Sequence, residues 1–93
     1  MESNIYNLTE LFRILGNPTR IRILLILAEH ETCVSELTDK LVYTQSAISH
    51  QLSILKSNKL VKQHRTGKMI FYTLTNEYVR QIIENCAFYS TLI

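Results

Sequence analysis

Residues 44–57, Thr44-Gln45-Ser46-Ala47-Ile48-Ser49-His50-Gln51-Leu52-Ser53-Ile54-Leu55-Lys56-Ser57, decide the fold. Ala47, Ile48, Leu52 and Leu55 recur at helical spacing, Thr44 is a capping residue just before them, and Ser57-Asn58 ends the pattern. The outward positions, Gln45, Ser46, Ser49, His50 and Ser53, are small or hydrogen-bonding. A helix that buries one face and offers such side chains on the other suits the major groove of DNA, where long apolar groups would block approach.

Upstream, Val34, Leu37 and Leu41 line a short helix that a tight Tyr43-Thr44 interruption separates from the stretch above. Cys33-Val34-Ser35-Glu36 reads as a capping box with Cys where Ser or Thr is usual. Downstream, Leu60–Arg65 and Met69–Leu74 flank Thr66-Gly67-Lys68, and the second run is rich in aromatic and β-branched residues, which predicts a hairpin. Helix, turn, helix and hairpin in this order describe a winged helix-turn-helix.

The flanks complete the domain. Ile5, Leu8, Leu11, Phe12 and Leu15 predict a first helix over residues 4–15, closed at Gly16. Asn17-Pro18 is an N-cap followed by proline at the first helical position, so a second helix runs from Pro18 to about His30. It is apolar almost all round from Ile21 to Ala28, which predicts the centre of the core. Thr75 is read as the cap of a last helix whose stripe, Val79, Ile82, Ile83 and Cys86, continues to Phe88, Tyr89, Leu92 and Ile93. The expected fold is mainly α with a small β-hairpin wing: five helices, in the order α-α-α-α-β-β-α, forming one domain over residues 1–93.

Ninety-three residues leave no room for a second core, and a composition 46% hydrophobic and 19% charged is that of a chain that folds throughout. The longest apolar run, Ile23–Ala28, is far below the roughly 20 residues needed to cross a bilayer. With the polar start Met1-Glu2-Ser3-Asn4, this predicts a cytoplasmic protein without a membrane partner. Glycine occurs twice and no phosphate loop or nucleophile-base motif is present, so an enzyme is not expected.

The net charge of +2 is modest but unevenly placed. From Lys40 to Asn76 the chain carries Lys40, Lys56, Lys59, Lys62, Arg65 and Lys68 and no acid, as a nucleic-acid contact surface would. Gln45 and His50 are expected to read bases. Thr44 with the amides behind it, Ser46, Ser49 and Lys56 suit phosphates, and Arg65 and Lys68 near the hairpin tip suit a neighbouring backbone or minor groove. The competing reading is a winged helix that presents its fourth helix to another protein; the acid-free stretch argues against it.

Three stretches in order give the chain a family resemblance. Leu15-Gly16-Asn17-Pro18-Thr19-Arg20-Ile21-Arg22-Ile23-Leu24, Gln45–Leu52 with Leu55-Lys56 and Leu60-Val61, and Arg65–Lys68 with Phe71–Leu74 resemble the second-helix entry, recognition helix and wing of the ArsR/SmtB repressors. The resemblance implies a homodimer through the first and last helices, and a two-fold dimer implies a palindromic operator in double-stranded DNA. It also implies repression released by a metal or a thiol-reactive species, with no cofactor required for binding itself.

At the positions matching the family's metal site on the last helix, Asn76, Tyr78, Tyr89 and Leu92 replace the carboxylate and imidazole ligands, so that site is not expected. At its other site Cys33 keeps the first of two cysteines and Ser35 stands for the second. Cys33 with His30 is thus an incomplete metal set. Cys33 can alternatively be a reactive thiol at a helix start, or a small cap that senses nothing. Cys86, on the apolar stripe, reads as a small hydrophobe packed at the dimer interface, or as a second sensor thiol if two-fold symmetry brings it beside its mate.

Overall fold

The computed structural model describes every residue from Met1 to Ile93, in the order α1 (Glu2–Leu15), α2 (Pro18–Glu29), α3 (Val34–Lys40), α4 (Gln45–Ser57), β1 (Val61–Thr66), β2 (Met69–Leu74) and α5 (Glu77–Ser90). The predicted order α-α-α-α-β-β-α is observed. Asn17 caps α2 as expected: its side chain accepts from the Arg20 N–H at 3.1 Å. Ile23, Leu24 and Leu27 of that helix are fully buried, and the apolar spine of α4, Ile48, Leu52 and Leu55, joins them with Leu37 of α3. Burying one such side chain contributes about 1.5–3 kcal/mol, so these residues hold the helix-turn-helix in place. Ile14 and Leu15 of α1, Leu60, Val61 and Leu74 around the hairpin, and Val79 and Ile83 of α5 close the same core.

β1 and β2 pair antiparallel, from Val61 opposite Leu74 to Thr66 opposite Met69. The two-residue turn Gly67-Lys68 needs a left-handed first residue, and Gly67 has φ +63 with no side chain to strain. β2 gains a second neighbour in the α2–α3 connection: Thr32 and Tyr72 exchange both backbone hydrogen bonds, at 3.1 and 2.7 Å. The wing is thereby tied to the end of α2 and the start of α3.

Three sequence expectations need correction, at the start of α1, the cap of α5 and the start of α3. α1 begins at Glu2, not residue 4. Asn76, not Thr75, caps α5, accepting from the Val79 N–H at 3.0 Å, while the Thr75 hydroxyl donates to the Lys59 carbonyl at 2.8 Å. The capping box at Cys33 does not form, because the Glu36 carboxylate that should reach back lies 2.7 Å from His30 Nε2 instead. Cys86 is exposed in the protomer: α5 buries Val79 and Ile83, and its last turns are exposed except for a half-buried Ala87.

One junction was not foreseen. α4 ends at Asn58, and the next two residues complete a Schellman motif: Leu60 N–H donates to the Leu55 carbonyl and Lys59 N–H to the Lys56 carbonyl, both at 3.0 Å. Lys59 occupies the left-handed position, φ +63, where glycine is usual. The motif sets the angle at which the wing leaves α4. Lys59→Gly removes the steric penalty of about 1–2 kcal/mol but loosens the unfolded chain, so a net stabilisation of about 0.5–1 kcal/mol is expected in urea unfolding.

Candidate nucleic-acid interface

α4 sorts its residues by face. Ile48, Leu52 and Leu55 are buried, whereas Gln45, Ser46, Ser49, His50, Ser53 and Lys56 are exposed. The Thr44 side chain accepts from the Ala47 N–H at 3.1 Å, so its oxygen starts the helix and leaves its own proton and the free amides of the first turn for an anion. The exposed polar residues thus stand on a spine that is fixed by packing, and Gln45, Ser46, Ser49 and His50 fall in its first two turns.

Arg65 lies near the end of β1 and Lys68 in the turn, both exposed. A shallow cleft of about 280 Å3, lined by Cys33, Val34, Ser35, Gln45, Lys68, Met69 and Ile70, joins the wing tip to the start of α4. Gln45 and Lys68 therefore share one surface. The ion pairs of the protomer engage Arg13, His30, Lys40, His64 and Arg80, and leave Lys56, Lys59, Lys62, Arg65 and Lys68 without a carboxylate partner. Unneutralised cations on both sides of a polar helix are the kind of surface that phosphate contacts on a duplex require.

His64 is an exposed residue of the wing with two neighbours of its own. It stacks on Phe71, with ring centroids 5.7 Å apart, and lies 3.4 Å from the Glu31 carboxylate. Gln51, between His50 and the buried Leu52, is half-buried; it accepts from the Arg20 Nε–H at 2.9 Å. Nothing in the helical periodicity distinguishes it from its groove-facing neighbours, since its partner is 31 residues away.

A second opening, about 350 Å3, is lined by Tyr6, Asn7, Glu10, Leu11, Ile14, Asn58 and Leu60 and contains none of the groove-facing residues. The apolar residues predicted for dimerisation are exposed in the protomer: Ile5, Leu8 and Phe12 on α1, and Phe88, Tyr89, Leu92 and Ile93 at the end of the chain. Phe12 is 61% exposed and Phe88 67% exposed.

Cys33 is half-buried, with Sγ 3.3 Å from the Ser35 hydroxyl. The Ser35 hydroxyl, followed by backbone donors at the start of α3, holds its thiol below the ordinary cysteine range. His30 is committed to Glu36, whose carboxyl that contact holds low; no group of three or more His, Cys, Asp or Glu side chains gathers within the protomer. For Cys33 the expected outcome is an iodoacetamide rate that rises with pH through a midpoint below that of the same cysteine in the urea-unfolded chain, followed by peptide mapping.

The sequence model for "Bacterial regulatory protein, arsR family" matches residues 17–63, from the cap of α2 into β1. A protein of Synechocystis named transcriptional repressor SmtB homolog is 38% identical over 80 residues, which is 86% of this chain and 61% of that protein. The chain spans about three fifths of the length of the first curated relatives it matches. HlyU of Vibrio cholerae, named a transcriptional activator, is 34% identical over 84 residues, 90% of this chain and 78% of its own. Its structure superposes with a TM-score of 0.86, covering 92% of this chain and 94% of that one. The homodimeric winged helix-turn-helix domain of a possible ArsR-family regulator from Mycobacterium bovis has the same fold, with a TM-score of 0.88 at 23% identity over 97% of this chain and 83% of that one.

Proposed function

Since the chain belongs to the ArsR family of bacterial regulatory proteins, we propose that it binds duplex DNA as a homodimer in the cytoplasm and represses transcription by occupying its site. The observation that carries this reading is the division of α4: a buried apolar spine under an exposed row of Gln45, Ser46, Ser49 and His50, with unpaired Lys56, Arg65 and Lys68 around it. Gln45 and His50 read base edges. Thr44, Ser46, Ser49 and Lys56 hold phosphates beside α4, and Arg65 and Lys68 hold the neighbouring backbone or minor groove.

The exposed apolar band on α1 and α5 supports a two-fold pairing through these helices, which repeats the recognition helix about one DNA turn away and makes the operator palindromic. The Mycobacterium bovis domain with this fold is a homodimer. Repression requires only occupancy of the DNA, while the relatives' names include both repressor and activator. Reaction at Cys33 is the effector reading that geometry favours over a metal, because Sγ shares its cleft with Gln45 and Lys68.

Fluorescence anisotropy of the reduced, metal-free protein, on DNA from upstream of its own gene and on an unrelated duplex, tests the reading. Preferential binding that weakens with salt at a log-log slope of about −0.9 per phosphate neutralised is expected. Replacing Arg65 and Lys68 together by Ala flattens the slope by roughly 2 and weakens both duplexes alike. Gln45→Ala or His50→Ala changes base preference, at about 1–3 kcal/mol per lost good contact. Weak, salt-insensitive binding to both duplexes would instead favour a protein partner for α4.

A further inference from the structure

The structure assigns Arg20 a positioning role: it couples α1, the helix read as dimerising, to α4, the helix read as entering DNA, and so fixes the half-site spacing the dimer accepts. This rests on the DNA-binding reading above. Arg20 stands in the first turn of α2, where its own backbone N–H is held by Asn17 Oδ1, so the side chain departs from a pinned point. Its Nε–H donates to Gln51 Oε1 of α4 at 2.9 Å, and Nη1 donates to the Ile14 carbonyl in the last turn of α1 at 3.3 Å. That carbonyl is one of the four that a helix C-terminus leaves without an internal partner.

Both acceptors are neutral and Arg20 takes part in no ion pair, so its charge serves neither a carboxylate nor, being half-buried, an open phosphate site. The planar guanidinium instead orients two donors at two helices at once, which a lysine cannot do. From the opposite side of the helix-turn-helix, Arg22 of α2 donates to the Tyr43 hydroxyl, one residue before the cap of α4. Gln51 therefore fixes the middle of the recognition helix and Tyr43 its entrance.

Leverage explains why this matters for DNA. Gln45 lies six residues from Gln51, about 9 Å along the axis, so a rocking of α4 by about 10° about Gln51 displaces Gln45 by about 1.5 Å. A displacement of that size exceeds the tolerance of a hydrogen bond to a base edge. In a two-fold dimer the error occurs in both halves and changes the separation of the two reading ends.

The test uses the full chain and palindromic duplexes recovered by wild-type protein from a random-sequence pool, each remade with one base pair added to or removed from its centre. Gln51→Leu removes the α4 leg alone, Arg20→Lys keeps the charge without the fork, and Gln51→Glu keeps an acceptor for Arg20. Gln51→Leu and Arg20→Lys should bind the preferred duplex about tenfold more weakly and discriminate spacings less, with dimer mass and salt slope unchanged. Gln51→Glu should restore the spacing preference.

Wild-type spacing discrimination in both Gln51→Leu and Arg20→Lys would overturn the proposal. So would a Gln51→Leu protein that keeps its spacing preference but changes base preference at one position, since Gln51 would then be a base reader. A wild-type protein that recovers no duplex overturns the DNA-binding reading first, and this coupling with it.

Discussion

The burial of α2 is the constraint on which the rest depends. Ile23, Leu24 and Leu27 are wholly withdrawn from water, and the helix carries so little amphipathic bias that it must be covered on several sides. α4 covers one side with Ile48, Leu52 and Leu55, while β2 and α5 close others with Leu74, Val79 and Ile83. Once these faces are taken, the polar side of α4 has only the outside of the protomer left. The exposed polar face of α4 is thus a consequence of packing: its residues are those that α2 cannot accommodate.

The wing is placed by backbone rather than by bulk. A left-handed Lys59 turns the chain out of α4, Gly67 reverses it, and the Thr32–Tyr72 bridge ties β2 to the α2–α3 connection. Lys68 is thereby brought to the cleft that also contains Gln45 and Cys33. A modification of the Cys33 thiol would change charge and volume beside Gln45 and Lys68, two of the residues proposed to meet DNA.

Element order and the face of α4 were legible because both follow from local periodicity. The caps were less so. Asn76 took the role predicted for Thr75 because the adjacent asparagine carboxamide reaches Val79 N–H, leaving the threonine hydroxyl for Lys59. The capping box at Cys33 matched in spacing, but Glu36 found a better partner in His30 across the loop. Arg20 and Gln51 could not be paired in advance, since their contact exists only when α2 and α4 cross. Cys86 has an apolar spacing on α5 but lies beyond the reach of the core, a fact of helix length rather than of pattern.

The central claim is that the amino-terminal half of α4, flanked by the wing, enters a DNA groove. Amide chemical-shift mapping during titration with a duplex that the protein selects tests it most directly. The account predicts that the largest shifts fall on Thr44–His50 and around Arg65–Lys68, while α1 and the end of α5, the proposed dimer surface, change little. Shifts concentrated on α1 and α5, with residues 44–50 unmoved, would contradict it.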